Sequence, residues 1–127
     1  MEKYQRKTRD IRFFSKKNDA MITVHSQQGR MYAGVLEARE DVVSYESCVV
    51  LNMAEYIHVS RSGIRKSYFE TPWTTDFILN FVDGRFGVRE MVSRENIIKA
   101  AVLERLEFSR RYWKQKEAFE WKILIIG

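Results

Sequence analysis

Residues 27–41, QQGRMYAGVLEARED, decide how the chain is read. They hold two glycines five apart, Gly29 and Gly34, and close on two acids, Glu40 and Asp41. The residues just before them, AMITVH at 20–25, alternate, with Ile22 and Val24 on one face of a strand. Gln28-Gly29 then reads as a turn. Residues 31–38 read as a second strand interrupted by Gly34, because a glycine inside a strand marks curvature or close backbone approach. On that reading Gly34→Val clashes with a packed neighbour and destabilises far more than Gly29→Ala.

Working outward, residues 47–59 give the longest strand. Val49, Leu51, Met53, Ile57 and Val59 share a face broken only by Glu55. A strand of that length in a small domain has to bend. SRSG at 60–63 is a turn, residues 64–69 a further strand, and Thr71-Pro72 carries the only proline. Asp83-Gly84 predicts a hairpin with strands at 77–82 and 85–92. Ser93 is a suitable N-cap for a helix over 94–119, where Ile98, Val102, Leu106, Ser109 and Trp113 recur at helical spacing. The closing WKILIIG is apolar enough to require pairing, in a sheet or across a subunit boundary. The expected architecture is α+β, in one domain over 1–127. It has a basic arm or short helix at 1–18, a strongly bent antiparallel sheet or small barrel at 20–69, a hairpin at 77–92, one long helix and a terminal strand.

The segment from Ile22 to Ser60 resembles the Sm-like family, most closely its bacterial branch, Hfq. In that family a strand leads to a glycine turn, a second glycine follows five residues later, then an aliphatic position, then an acid. Gly29, Gly34, Leu36 and Glu40 or Asp41 stand in that order. Tyr56-Ile57-His58 is similar to the family's Tyr-Lys-His pore motif, with Ile57 in place of the lysine. Arg61-Ser62-Gly63 hints at the Arg-Gly of the eukaryotic members. The resemblance covers about 40 residues, and it implies a ring oligomer whose strands pair between subunits.

Composition bounds the function. The 127 residues are 45% hydrophobic and 31% charged, with a net charge of +5, which suits a globular chain. Cys48 is the only cysteine, so no internal disulfide forms, and it reads as a small core residue in a reducing, cytoplasmic setting. His25 and His58 lie far apart, so no metal site or cofactor is expected, and no stretch suggests a membrane span or a signal peptide. Residues 1–17 carry seven Lys or Arg against two acids, residues 31–60 one against five, and residues 61–127 thirteen against nine. Such signed patches draw phosphate.

No catalytic set is visible. Glu40 and Asp41 are adjacent and on a strand would point to opposite faces, and no GxSxG, HExxH or P-loop occurs. The candidate ligand-binding residues are arginines with aromatics beside them: Arg61, Arg65 and Lys66 around a turn; Arg85, Phe86 and Arg89 at the hairpin; Tyr56 and His58; Arg110 and Arg111 near the helix end. The expected function is a non-enzymatic, homo-oligomeric binding protein for RNA or a nucleotide-type phosphate ligand. The alternatives are a virus-type regulatory protein sequestering a small nucleotide signal at a subunit boundary, and a purely structural oligomerisation module.

Overall fold

A computed structural model describes residues 10–127; residues 1–9 of the basic arm or short helix expected at 1–18 lie outside them, and the remainder is a strand and the turn after it, not a helix. β1 (Ile11–Ser15) and β2 (Ala20–Val24) form an antiparallel hairpin, with Ile11 opposite Val24. The strand expected after it is instead a helix, α1 (Gln27–Ala38). Gly29, Ala33 and Leu36, at helical spacing, are its buried residues, whereas Met31 and Val35, which the strand reading places on one face with Ala33, are exposed. The Ser26 side chain starts the helix by accepting from the Gly29 N–H at 3.0 Å. Glu37 then ties it down, accepting from the hydroxyls of Ser15 at 2.5 Å and Tyr45 at 2.6 Å.

β3 (Val42–Val50) ends well short of the strand expected to reach residue 59. Asn52 caps a 3-10 helix over Met53–His58 by accepting from the Ala54 N–H. This turn buries Tyr56 and leaves Met53 and Ile57 outside, which no strand through all five apolar positions would do. A second 3-10 helix, Lys66–Glu70, replaces the strand expected at 64–69. The hairpin is found where Asp83-Gly84 places it: β4 (Thr74–Phe81) and β5 (Phe86–Ser93) are antiparallel, and Gly84 has φ +89°. The following helix, α2 (Ala100–Gln115), begins later than expected, after Lys99; Ser93 is the last residue of β5 and not a cap. β6 (Glu120–Ile126) returns parallel to β5.

The protein is thus α+β, with six strands in two sheets: β1-β2, and a four-stranded sheet ordered β3-β4-β5-β6. The sheets do not close into a barrel, and the glycine-turn strands on which the Sm-like resemblance rested are helix α1. Alternation along β4 feeds two cores. Ile78, with Val88 of β5, packs under Phe108, Tyr112 and Trp113 of α2, joined by Tyr56, Val59 and Phe69. Phe77 and Leu79 point to the other face, against Ala33 and Leu36 of α1 and Val24 of β2. Among the described residues no helix is long and apolar enough to cross a membrane.

The two glycines exchange their expected roles. A Cβ on Gly34 would meet nothing within 4 Å, whereas one on Gly29 would lie 3.3 Å from Ser26 Oγ and 3.4 Å from Val24 Cβ. In thermal melts Gly34→Ala is expected to raise stability by about 0.5–1 kcal/mol, the helix-interior difference between the two residues. Gly29→Val is expected to lower it by crowding the Ser26 cap.

Candidate functional site: a buried carboxyl pair

Most of the sequence-predicted phosphate contacts are engaged within the fold. Arg65 grips Glu104 in a two-pronged ion pair, both contacts at 2.9 Å. This contact holds the Glu104 carboxyl down at about 2. Arg110 and Arg111 share Glu107, and Arg111 also donates to the carbonyls of Ser60 and Ser62. This joins α2 to the turn that carries Arg61, whose guanidinium lies 4.2 Å from the centre of the Phe69 ring. Lys66 and His58 are exposed on the two 3-10 helices. Tyr56 is a core residue, its hydroxyl donating to the Thr71 carbonyl and accepting from the Trp73 N–H. Phe86 packs edge-on against Trp113 rather than standing free.

Arg85 and Arg89 come together with Arg39 and Lys122 in a cleft of about 200 Å³ at the hairpin tip. Each cation there has a carboxylate beside it. Asp83 holds Arg85, Asp41 holds Arg39, and Glu120 stands between Arg89 at 2.5 Å and Lys122 at 3.7 Å. Arg89 is only 3% exposed and also donates to the Tyr32 hydroxyl. An anion entering this cleft would compete with three internal carboxylates.

The unusual chemistry lies toward the other end of the hairpin, away from its tip. The β4–β5 ladder runs from Asn80↔Phe86 to Phe77↔Arg89. Beyond it, side chains take over the bonding. The Met91 N–H donates to Asp76 Oδ2 at 2.7 Å, and the Asp76 N–H lies 3.4 Å from Glu90 Oε1. Two acidic side chains from neighbouring strands thus each reach the backbone of the strand opposite where the strands part. Glu90 is fully buried. Its Oε2 accepts from the hydroxyls of Thr75 at 2.8 Å and Ser109 at 2.5 Å. Behind these, the indole of Trp113 donates to Thr75 at 2.7 Å and that of Trp121 to Ser109 at 2.9 Å. The Arg105 guanidinium faces Oε1 at 3.8 Å.

Burial, then the neighbouring Asp76 charge, pushes the Glu90 carboxyl up to about 7, against the donors that favour its ionised form. Burial raises Asp76 as well. The two groups titrate as a pair rather than independently. Asp76 is partly open. It lies within electrostatic reach of His25 and Cys48, which line a cleft of about 430 Å³ with Asn18, Thr23, Glu46 and Ser47. Cys48, read from sequence as a core residue, is half-buried on this cleft wall with a left-handed φ of +54°. Burial, then Asp76, raises its thiol pKa.

Sequence reading missed Asp76, Glu90 and Arg105. The signal was present but weak: Glu90 interrupts the alternation of Val88 and Val92, and Ser109 interrupts the apolar stripe of α2. Each polar residue there breaks a pattern, and they meet in space. No family model matches the chain, and no curated protein is significantly similar to it.

Two outcomes are expected. Arg89→Ala should cost about 3–5 kcal/mol by breaking the buried side of an ion pair and leaving Glu120 only the 3.7 Å contact with Lys122, while Arg65→Ala, on an exposed pair, should hardly move the melt. For Glu90, the folded pKa lies above the ordinary carboxylate value of 4.5. The folded state therefore holds a proton that the unfolded state releases, and stability falls as pH rises from about 4.5 to about 7. Melts of Glu90→Gln across that window should lack this fall.

Proposed function

We propose that the chain is a divalent-cation-dependent enzyme that hydrolyses phosphodiester bonds in nucleic acid, with Asp76 and Glu90 as the cation's carboxylate ligands. The observation that carries this reading is the pairing of those two acids where β4 and β5 separate. A fully buried carboxyl with a partly open one beside it makes a site where a cation would relieve the repulsion between their charges. No group of three or more His, Cys, Asp or Glu suited to a metal occurs among the described residues. That donor count fits Mg²⁺, which keeps several waters and binds through one or two carboxylates plus substrate phosphate.

The chemistry follows from the ligands. Asp76 and Glu90 would hold the cation, which would polarise a phosphoryl oxygen and lower the pKa of a bound water. That water would give up a proton as its oxygen bonds to phosphorus, the P–O bond to the leaving nucleotide would break, and the leaving oxygen would take up a proton. Arg105, which faces Glu90 Oε1 at 3.8 Å, would supply positive charge beside the phosphoryl group as negative charge builds on it. The chain's net charge of +5 favours a polyanionic substrate. This reading keeps the phosphate-bearing partner expected from sequence and departs from the expectation of a non-enzymatic binder.

The test is cleavage of labelled single- and double-stranded DNA and RNA, with Mg²⁺ or Mn²⁺ and with EDTA. Cation-dependent cleavage that Asp76→Asn and Glu90→Gln each lower at least 100-fold, with both variants folded and melting cooperatively, is expected. Binding of nucleic acid without any turnover would return the protein to the class of binding modules.

A further inference from the structure

The carboxyl pair is asymmetric. An indole N–H can only donate. The Thr75 hydroxyl accepts from Trp113 and the Ser109 hydroxyl accepts from Trp121, so each turns its own proton outward. Both protons point at one atom, Glu90 Oε2. Glu90 Oε1 has no comparable partner: the Asp76 N–H is at 3.4 Å and Arg105 at 3.8 Å. Two short hydrogen bonds to one carboxylate oxygen and only long contacts to the other fix the rotation of the carboxyl plane.

We infer that Thr75 and Ser109 are positioning residues that occupy Oε2 of Glu90 and leave its Oε1, together with the Asp76 carboxylate, as the oxygens that take the cation. The inference rests on the reading of Asp76 and Glu90 as cation ligands, and it goes beyond it by naming the working oxygen and the residues that select it. The selection reaches across the fold: Thr75 lies on β4, Ser109 and Trp113 on α2, and Trp121 on β6. It also gives both indoles a role beyond filling the core. Each is a fixed donor that leaves its hydroxyl only one useful direction for its proton, which holds Glu90 in a single rotamer before a cation arrives.

The measurement is Mn²⁺ affinity by electron paramagnetic resonance on the full chain, alongside a melt of each variant. Thr75→Val keeps the side-chain shape and removes the hydroxyl; Ser109→Ala removes the other relay. Each is expected to weaken Mn²⁺ binding roughly 10- to 100-fold, the usual effect of losing a group that orients a metal ligand. Thr75→Ser and Ser109→Thr, which restore a hydroxyl, should recover most of the affinity. A second readout follows the indole N–H signals by nuclear magnetic resonance. Adding Mg²⁺ to wild type should shift both Trp113 and Trp121, and in Thr75→Val the Trp113 response should vanish while that of Trp121 persists. Unchanged Mn²⁺ affinity in folded Thr75→Val and Ser109→Ala, with Asp76→Asn and Glu90→Gln abolishing it, overturns the positioning role and leaves the cation site standing. Wild type that binds no Mn²⁺ overturns both.

Discussion

A carboxyl group inside a β-sheet must find donors or stay protonated, and Glu90 meets that constraint by drawing four elements onto itself. β4 contributes Thr75, α2 contributes Ser109, and β6 contributes the Trp121 indole that orients Ser109. β5 carries the glutamate. The same four elements form the upper core, where Ile78, Val88 and Trp113 pack together. The polar network and the apolar core are thus one structure. Removing a hydroxyl from it would strand an indole N–H and a carboxylate oxygen in a place that water does not readily reach.

That constraint explains a feature that ladder geometry alone would not produce. The β4–β5 hydrogen bonds stop after Phe77↔Arg89, although both strands continue. Past this point β4 stays paired to β3 and β5 stays paired to β6, so each strand keeps a partner on its other side. The gap between them is bridged by Asp76 and Glu90 in place of backbone groups. Neutral side chains would not need such a gap, because an ordinary ladder would satisfy the same N–H and C=O groups. Natural folds tolerate local inconsistency of this kind chiefly where function resides. This is why the pair, and not the arginines, carries the functional proposal.

The arginines illustrate how a basic sequence differs from a basic surface. Arg65, Arg85, Arg89, Arg110 and Arg111 each stand within bonding distance of an acid. Three of these contacts, Arg85 with Asp83 and both Arg110 and Arg111 with Glu107, are local in sequence. Arg65 with Glu104 and Arg89 with Glu120 span 39 and 31 residues. Only the fold creates those long-range pairs. They convert residues that look available for phosphate into ties between α2 or β6 and the rest of the molecule.

Local signals decided the hairpin at Asp83-Gly84, because a left-handed glycine in a two-strand turn is a requirement of the backbone itself. They also decided the existence of α2, through its apolar stripe, and the strand character of residues 121–126, through their continuous hydrophobicity. The boundaries of α2 and the parallel partner of β6 were not local properties. Residues 31–38 show the limit most clearly. Met31, Ala33 and Val35 alternate as a strand would, and Gly29, Ala33 and Leu36 recur as a helix would, so the period is ambiguous within the segment. The Ser26 cap and burial of the second set against Val24 and Phe77 resolve it in favour of helix. The carboxyl pair left only a weak trace in the sequence for a related reason. Asp76 and Glu90 are 14 residues apart, and neither belongs to a motif. Their interaction depends on how close the two side chains stand, which only the packing of β4 against β5 decides.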